Sequence, residues 1–429
     1  MRGFAERVDV EVVDAFLALH SRPLESEVVP LLESLGRVLA AEVVSEVDVP
    51  GFARSAMDGY ALRGEESFGA SNYDAIPLKI VGLSLPGAPY EAVLQAGEAV
   101  RIMTGAPIPS GADAVVKAEV CEEHDDVVSI SEAVAPHKNV GAIGEDIRRG
   151  ERVLSAGRRL RPQDVGLLSS IGIAQVACIR RPRVRLVVTG DELLPAGSMP
   201  SGARIVDSNS VVLRGLIERD GGVSLPFEIL PDVPEKIRDA MADEQADVVL
   251  VSGGTSVGQE DHAPRLLDEL GELSFHGISM RPSSPTGIGH IGPRLVFLLP
   301  GNPVSCLAAY EFFAGPTIRA LGGRARRWPH RRASVPLARK IASEIGRTDY
   351  VRVAIEEGRA VPLATSGASI LSSTVRAAGA VVVPRELEGM REGERVEVLL
   401  YDEEATDGEA TRIGLADESR SDVGERSAS

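Results

Sequence analysis

Three short polar segments of the 429-residue sequence combine glycines, hydroxyl groups and carboxylates in a way that suits a phosphate-bearing ligand. They are TGDEL (189–193), SGGTSVG (252–258) and PGNPVS (300–305). In the second segment, successive glycine N–H groups and the hydroxyls of Ser252, Thr255 and Ser256 make a backbone nest suited to an anion. The segment therefore predicts phosphate binding.

Carboxylates accompany two of these segments. Asp191 and Glu192 belong to the first, and Asp261 follows the second. Hard carboxylate oxygens beside a phosphate are how Mg²⁺ is usually held, so the sequence predicts a divalent metal site. This region has neither the G-x-G-x-x-G fingerprint of dinucleotide-binding folds nor the Gly-Lys-Ser/Thr of a P-loop, which disfavours both classes.

The elements that must position these groups are strands of a parallel sheet. RVRLVV (183–188), DVVLV (247–251) and RLVFLL (294–299) are continuous apolar runs, and each leads directly into one of the polar segments. Ligands of open α/β sheets bind beyond the carboxyl ends of the strands, where such loops meet. Asn302 as N-cap and Pro303 at the first helical position add a helix N-terminus to the same edge.

The rest of the chain predicts further domains around this α/β region. Apolar spacing predicts helices at 9–20 and 27–41, and Pro162 near the start of another. Short β-branched runs at 76–134 and 334–400 predict two small β domains. Within the α/β region, Asp232 and Glu235 form a capping-box pattern, and Gly221–Gly222 end the helix that contains VVLRGLIER.

Composition excludes several classes of partner and environment. The formal net charge of −17 disfavours nucleic acid and anionic membranes. Three widely spaced cysteines without a Cys-x-x-Cys pair fit a reducing compartment. The N-terminal segment is charged throughout, and no apolar run reaches the roughly 18 residues of a membrane span. We therefore predict a cytoplasmic protein.

One alternative function rests on a five-residue match. GTSVG (254–258) fits G-x-S-x-G, the nucleophile elbow of α/β-hydrolases, with Ser256 as the nucleophile. An elbow serine lies at the turn directly after its strand, whereas Ser256 follows the predicted strand end by several residues. His262, His276 and His290 lie downstream, but chain order alone cannot assign a triad base. A serine hydrolase is therefore the weakest alternative.

Seven motifs, taken in order, resemble the molybdopterin molybdenumtransferase family, which includes the gephyrin E domain. The motifs are RSAMDGYAL (54–62), IMTGAPIPSGADAVV (102–116), GEDIRRGERVLSAG (144–157), PRVRLVVTGDEL (182–193), DSNSVVLRGLIERDGG (207–222), DVVLVSGGTSVGQED (247–261) and LLPGNPVSC (298–306). The resemblance implies an elongated homodimer with a segmented helical domain, an inserted β domain, a molybdopterin-binding α/β domain and a C-terminal β barrel. The corresponding ranges are 1–50 with 140–182, 51–139, 183–323 and 334–402, followed by a disordered acidic tail at 403–429.

The implied reaction uses adenylylated molybdopterin and molybdate, releases AMP with help from Mg²⁺, and leaves molybdenum on the dithiolene. Asp58, Glu192 and Asp261 match catalytic positions, and Glu192, Asp232 and Asp261 match metal positions. Asp58 and Thr104 would approach the α/β crevice of the partner subunit. The matched substrate-binding positions are Thr104, Thr189, Gly190, Asp191, Ser252, Gly253, Gly254, Thr255, Ser256, Arg281, Ser284, Pro300, Gly301, Asn302 and Pro303.

The chain departs from the family pattern at the implied oxyanion site. The family commonly has Lys-Pro-Gly-Lys-Pro where this chain has Arg281-Pro282-Ser283-Ser284-Pro285. Our hypothesis is that Arg281, through its bidentate fork, replaces the lysines together with the Ser283 and Ser284 hydroxyls.

Two alternatives follow from the same resemblance. One is a noncatalytic molybdopterin-binding or scaffold homologue, which predicts ligand binding without turnover. The other is adenylylation of molybdopterin, because a fold does not dictate its reaction. A molybdopterin adenylyltransferase and the apoproteins of molybdoenzymes are the implied partners besides a second copy of the chain.

Overall fold

The computed structural model describes residues 7–255, 262–364 and 369–401. The chain divides into two compact units, Val28–Cys178 and a second unit formed by Met1–Glu27 with Ile179–Ser429. Ser256, Asp261 and the predicted acidic tail lie outside the described residues. Among the described helices, none combines the length and the apolar character of a membrane span.

The unit Val28–Cys178 contains a six-stranded sheet with its own apolar core. All its strand pairs are antiparallel except that of Ile76–Ser84 with Glu98–Ile102. In spatial order the strands are Ala114–Lys117, Gly59–Leu62, Glu98–Ile102, Ile76–Ser84, Val127–Ile130 and Cys121–His124. A second core contains Leu39, Leu154 and Leu168, and its residues come from both sides of this strand series in the sequence.

Short elements surround the second core of this unit. The predicted helix at Pro162 is confirmed as Pro162–Ser170. The predicted helix at 27–41 is wrong, because the chain there forms the strand Ser26–Pro30 and a single 3₁₀ turn, Leu31–Glu33. Pro30 has no N–H to donate, so a helix that ran through it would lose one backbone hydrogen bond. The other short strands are Val43–Val44, Arg54–Ser55, Val140–Gly141, Arg152–Leu154 and Gln175–Ile179.

The second unit contains a seven-stranded sheet that carries the three polar segments. The predicted strands are confirmed as Arg183–Thr189, Val248–Ser252 and Arg294–Leu299, and they are parallel neighbours with Val248–Ser252 in the middle. Two antiparallel strands that the sequence did not predict, Gly287–Ile291 and Glu272–His276, extend the sheet beyond Arg294–Leu299. Val223–Ser224 and Ile229–Leu230 pair with the opposite edge.

Helices cover both faces of this sheet, and for that reason the central segments 248–251 and 295–299 are apolar at every position. Leu250 and Phe297 belong to one core and Val249 and Val296 to the other. The helices are Val10–His20, Asn209–Arg219, Pro234–Met241, Ala263–Leu270 and Pro303–Ala309, the last of which continues through a π-helical turn, Tyr310–Ala314, into Gly315–Leu321.

Helix ends show where local signals succeed and fail. Asn302 is the N-cap of its helix and Pro303 the first helical residue, as predicted. Gly221, at φ +89°, follows the end of Asn209–Arg219, also as predicted. The capping box at Asp232 is wrong, because the N-cap of Pro234–Met241 is Val233.

The C-terminal part of the second unit forms a further sheet of six strands. In spatial order they are Met280–Arg281, Thr348–Glu356, Gly379–Val383, Arg395–Leu400 and Arg331–Pro336, with Arg359–Ala364 also paired with Thr348–Glu356. The remaining elements are the strand pairs Ile341–Ala342 with Gly389–Met390 and Leu193–Leu194 with Ile205–Val206, and the helix Ser372–Arg376.

Candidate functional site

The three polar turns begin at the same level of the sheet. Val188 pairs with Ser252, and Ser252 pairs with Leu299 on its other side. Because these strands are parallel, their carboxyl ends lie together, and the turns that follow share one edge.

Glycine allows the turns to approach each other closely. A Cβ on Gly253 would lie 2.3 Å from the Thr189 carbonyl oxygen, and the φ of Gly253 is +103°. A Cβ on Gly301 would lie 3.9 Å from the Gly253 Cα. The structure thus brings together Thr189, Gly253 and Gly301, one residue from each predicted segment.

Side chains link the middle turn to its neighbours. The Thr255 hydroxyl donates to the Leu299 carbonyl at 3.0 Å, and His276 Nε2 lies 3.1 Å from the Thr255 carbonyl. The Thr189 hydroxyl is buried and has no hydrogen-bond partner within the described part of the chain. A buried hydroxyl without a partner costs free energy, so a ligand or water at this edge would satisfy it.

Asn209, which the sequence reasoning missed, bridges two of the turns. Its side-chain amide donates to the Ser252 hydroxyl at 3.0 Å and to the Gly301 carbonyl at 2.8 Å. Asn209 begins the helix Asn209–Arg219, and the nearby Asp207 accepts a hydrogen bond from the Ser210 N–H at 3.1 Å. The sequence signal was the DSN triplet at the start of this helix.

The predicted acidic side of the site is exposed. The Asp191 N–H lies 3.4 Å from Asp232 Oδ2, and the Asp232 N–H lies 3.4 Å from Asp191 Oδ1. Asp191 and Asp232 therefore face each other across this side of the site. A Cβ on Gly190 would lie 2.7 Å from a Glu192 carboxylate oxygen, so the glycine leaves room for Glu192.

The proposed metal ligands do not form a complete set in the described chain. In the ranges 7–255, 262–364 and 369–401, no three His, Cys, Asp or Glu side chains are grouped as metal ligands. Of the predicted metal residues, Glu192 and Asp232 are described and Asp261 is not.

In the other unit, Asp58 and Thr104 form a polar pair. Asp58 Oδ1 accepts hydrogen bonds from the Thr104 N–H and from its hydroxyl, both at 2.7 Å. These bonds favour the ionised form, so they lower the pKa of the Asp58 carboxyl below its ordinary value. Asp58 is exposed, and the pair therefore presents an ionised, oriented carboxylate at the surface.

Two side chains of the RPSSP loop, residues 281–285, have partners within the protein. The Arg281 guanidinium forms an ion pair with Asp349 and donates to the Ala342 carbonyl at 3.2 Å. The Ser283 hydroxyl donates to the Ser305 carbonyl at 2.5 Å, in a residue whose φ is +86°. Arg281 and the Ser283 hydroxyl thus both have partners within the protein, and their binding of the oxyanion stays a prediction. The Ser284 hydroxyl is buried and has no partner among the described residues.

Models of three family regions match consecutive parts of the chain. The MoeA N-terminal region (domain I and II) matches residues 8–172, a probable molybdopterin binding domain matches 185–320, and the MoeA C-terminal region (domain IV) matches 334–401.

Whole proteins match over nearly the same range. The molybdopterin molybdenumtransferase of Haemophilus influenzae is 34% identical over 387 residues, which cover 88% of this chain and 94% of that protein. A putative molybdopterin biosynthesis protein of Methanocaldococcus jannaschii is 32% identical, with 92% of this chain and 96% of that protein covered. The chain belongs to the molybdopterin molybdenumtransferase family. The predicted membership, and with it a transferase of molybdenum cofactor biosynthesis, is confirmed.

A solved structure of the family shares the fold. The molybdopterin biosynthesis MoeA protein of Pyrococcus horikoshii is similar with a TM-score of 0.79 and 34% identity, and the match covers 92% of this chain and all of that chain. The mixed α/β class is therefore confirmed.

The serine hydrolase alternative gains no support. Its nucleophile, Ser256, lies outside the described residues, and the family comparisons point to a transferase. His276, one of the three candidate bases, contacts the backbone of Thr255.

Proposed function

We propose that this transferase inserts molybdate into adenylylated molybdopterin and releases AMP, with Mg²⁺ as a cofactor. The observation that carries the proposal is the close approach of Thr189, Gly253 and Gly301 at the carboxyl edge of the sheet. Such an edge is where open α/β sheets bind nucleotide-linked ligands.

The middle turn would hold the phosphate of the substrate. Gly253 and Gly254 have φ values of +103° and +58°, so two successive residues adopt left-handed conformations. Backbone of this kind can turn consecutive N–H groups into one concavity, which favours an anion. The helix that begins at Pro303 adds the positive end of its dipole beside the third turn.

The described carboxylates fit Mg²⁺ better than a softer metal. Asp191 and Asp232 offer only oxygen ligands, and Mg²⁺ is usually bound by one or two carboxylates together with substrate phosphate and water. We propose that these residues, Glu192 and Asp261 hold the ion. When bound, Mg²⁺ would stabilise negative charge on the leaving phosphate.

The remaining predicted residues complete the proposal. Ser252 and Ser256 would donate to the substrate, the Thr255 hydroxyl would hold the middle turn through Leu299, and Gly190, Pro300 and Asn302 would shape the pocket wall. We propose the four-domain arrangement, the domain ranges and the C-terminal barrel given above. We also propose a homodimer in which Asp58 and Thr104 of one subunit serve the α/β site of the other.

The direct test is to incubate the protein with adenylylated molybdopterin, Mg²⁺ and either molybdate or tungstate, and to measure AMP. We expect oxyanion-dependent AMP release that chelation abolishes and that Asp191→Asn weakens. The matched control is Glu218→Gln, an exposed carboxylate near the far end of Asn209–Arg219, about 13.5 Å along the helix from Asn209. Substrate binding without AMP release would contradict the proposal and favour a scaffold protein.

The shared site has a separate test. Asp58→Ala and Asp261→Ala chains should each be inactive alone, and mixing them should restore part of the activity if each intact site takes one residue from each subunit. Mixed chains that form dimers but stay inactive would contradict the shared site without affecting the reaction itself.

A further inference from the structure

The side chain of Asn209 contacts both of the turns between which the substrate would bind, and so it can set the distance between them. The side chain is 9% exposed, and its amide nitrogen donates to the Ser252 hydroxyl and to the Gly301 carbonyl. A carbonyl oxygen can only accept, so the contact with Gly301 fixes which end of the amide carries the nitrogen.

The third turn has few backbone donors with which to hydrogen-bond to its surroundings. Pro300 and Pro303 have no N–H groups, so the four residues 300–303 contain only two backbone donors. A hydrogen bond from a side chain elsewhere in the chain therefore matters more for this turn than for an ordinary one. The bond from Thr255 to Leu299 ties the turns at the strand end, whereas the bond from Asn209 reaches Gly301, two residues further along.

An amide is the group that suits this position. Its NH₂ has two protons for two acceptors, whereas an aspartate of the same shape cannot donate to the Gly301 carbonyl. A serine would be too short to replace both bonds. The identity of residue 209 is thus coupled to the backbone of one turn and to a side chain of another.

We propose that Asn209 is a positioning residue that sets the gap between the Ser252–Thr255 turn and the 300–303 turn. It acts through Ser252 and Gly301 rather than by touching the substrate. This inference rests on the proposed function for its effect on ligand binding. Its effect on the two turns can be tested without any ligand.

The experiment compares Asn209→Ser and Asn209→Asp with Leu213→Ala in the full-length protein. Leu213 is fully buried one turn further along the same helix and belongs to the apolar core, so its truncation destabilises the fold without removing a bond to either turn. The readouts are the dissociation constant for AMP with Mg²⁺, measured by calorimetry, and backbone amide exchange of residues 252–255 and of Leu299, Gly301 and Asn302, since Pro300 and Pro303 have no amide hydrogen.

We expect both Asn209 variants to bind AMP on the order of 5- to 100-fold more weakly, since each leaves the Gly301 carbonyl without the donor that holds its turn. We also expect faster exchange in both turns. Leu213→Ala should lower the melting temperature but leave the AMP affinity and the relative exchange of the turns unchanged. If exchange in the turns is unaltered by the Asn209 variants, or rises equally in Leu213→Ala, the positioning role is wrong. If the wild-type protein does not bind AMP, the ligand assignment in the proposed function fails, and amide exchange still decides the role of Asn209.

Discussion

Asp349 is buried, and its carboxylate pairs with the guanidinium of Arg281, which ties the RPSSP loop to the C-terminal sheet. Arg347 Nε and the Ser343 hydroxyl also donate to this carboxylate, each at 2.8 Å. Three donors thus compensate one buried charge. Arg281 has a structural partner at the position where the family commonly has a lysine.

This pairing predicts that Arg281→Ala destabilises the protein. Loss of one partner from a buried pair costs about 3–5 kcal/mol when the charge is left alone. Because Arg347 and Ser343 remain, we expect the free energy of unfolding to fall by only about 1–3 kcal/mol, as measured by urea denaturation. Arg332→Ala, which removes an exposed pair with Glu397, is the control and should cost less than about 1 kcal/mol. A stability equal to wild type would show that the pair is unimportant, and unchanged molybdate-dependent AMP release would exclude Arg281 from oxyanion binding.

Thr104 should control the titration of Asp58. Two hydrogen bonds from Thr104 lower the pKa of the Asp58 carboxyl, and Thr104→Val removes the hydroxyl bond while it leaves the backbone bond. We expect the pKa of Asp58 to rise part of the way towards its ordinary value. The ¹³C resonance of the Asp58 carboxyl, followed against pH, measures this directly. Identical titration curves for wild type and Thr104→Val would contradict the prediction.

The buried carboxylate of Glu311 should make the protein less stable in acid. Burial raises the pKa of this carboxyl, but contacts with His330 and Arg219 outweigh burial and lower it to about 2. The contribution of a group with a depressed pKa is fully present above its ordinary value of about 4.5 and is lost as the pH falls towards 2. Glu311→Gln should therefore be less stable at pH 7 by about 3–5 kcal/mol and should show a shallower decline between pH 4.5 and 2. Parallel stability curves for the two proteins would exclude this role of Glu311.

Gly253 should tolerate no side chain. A Cβ there would lie 2.3 Å from the Thr189 carbonyl oxygen, so Gly253→Ala must move the turn. We expect AMP release to fall by more than about tenfold, because misplacement by about 1 Å is enough to disrupt a catalytic geometry. Gly172→Ala is the matched control, since Gly172 also has a positive φ, +79°, but no atom within 4 Å of the added carbon. It should lose stability and keep its activity; equal activity of both variants would contradict the prediction.

The sequence predicted the central strands correctly because burial on both faces leaves an unbroken apolar run. It failed at 27–41, where apolar residues at helical spacing instead serve a small core: Val29 and Leu31 are buried beside Leu39. It also failed to predict the antiparallel strand Gly287–Ile291. The sequence of this strand, GIGHI, shows no clear alternation of apolar and polar residues. Tertiary packing decided these segments against the local pattern.

The candidate site shows a similar division. The glycine-rich turns were recognisable because each one directly follows the apolar run of a buried strand. The DSN triplet marked the start of a helix but not the role of Asn209, because its partners Ser252 and Gly301 are 43 and 92 residues away in the sequence. The engagement of Arg281 by Asp349, 68 residues away, could not be read from the loop for the same reason. Long-range hydrogen bonds determine what these side chains do, and no local spacing encodes them.

The strands beneath the site end in register at Val188, Ser252 and Leu299. The ladder below them is complete without any contribution from the turns. An insertion or substitution in one turn would consequently leave the strands beneath the other two in place. What limits a change in one turn is therefore its contact with the neighbouring turns, such as that of Gly253 with Thr189, and not the sheet below.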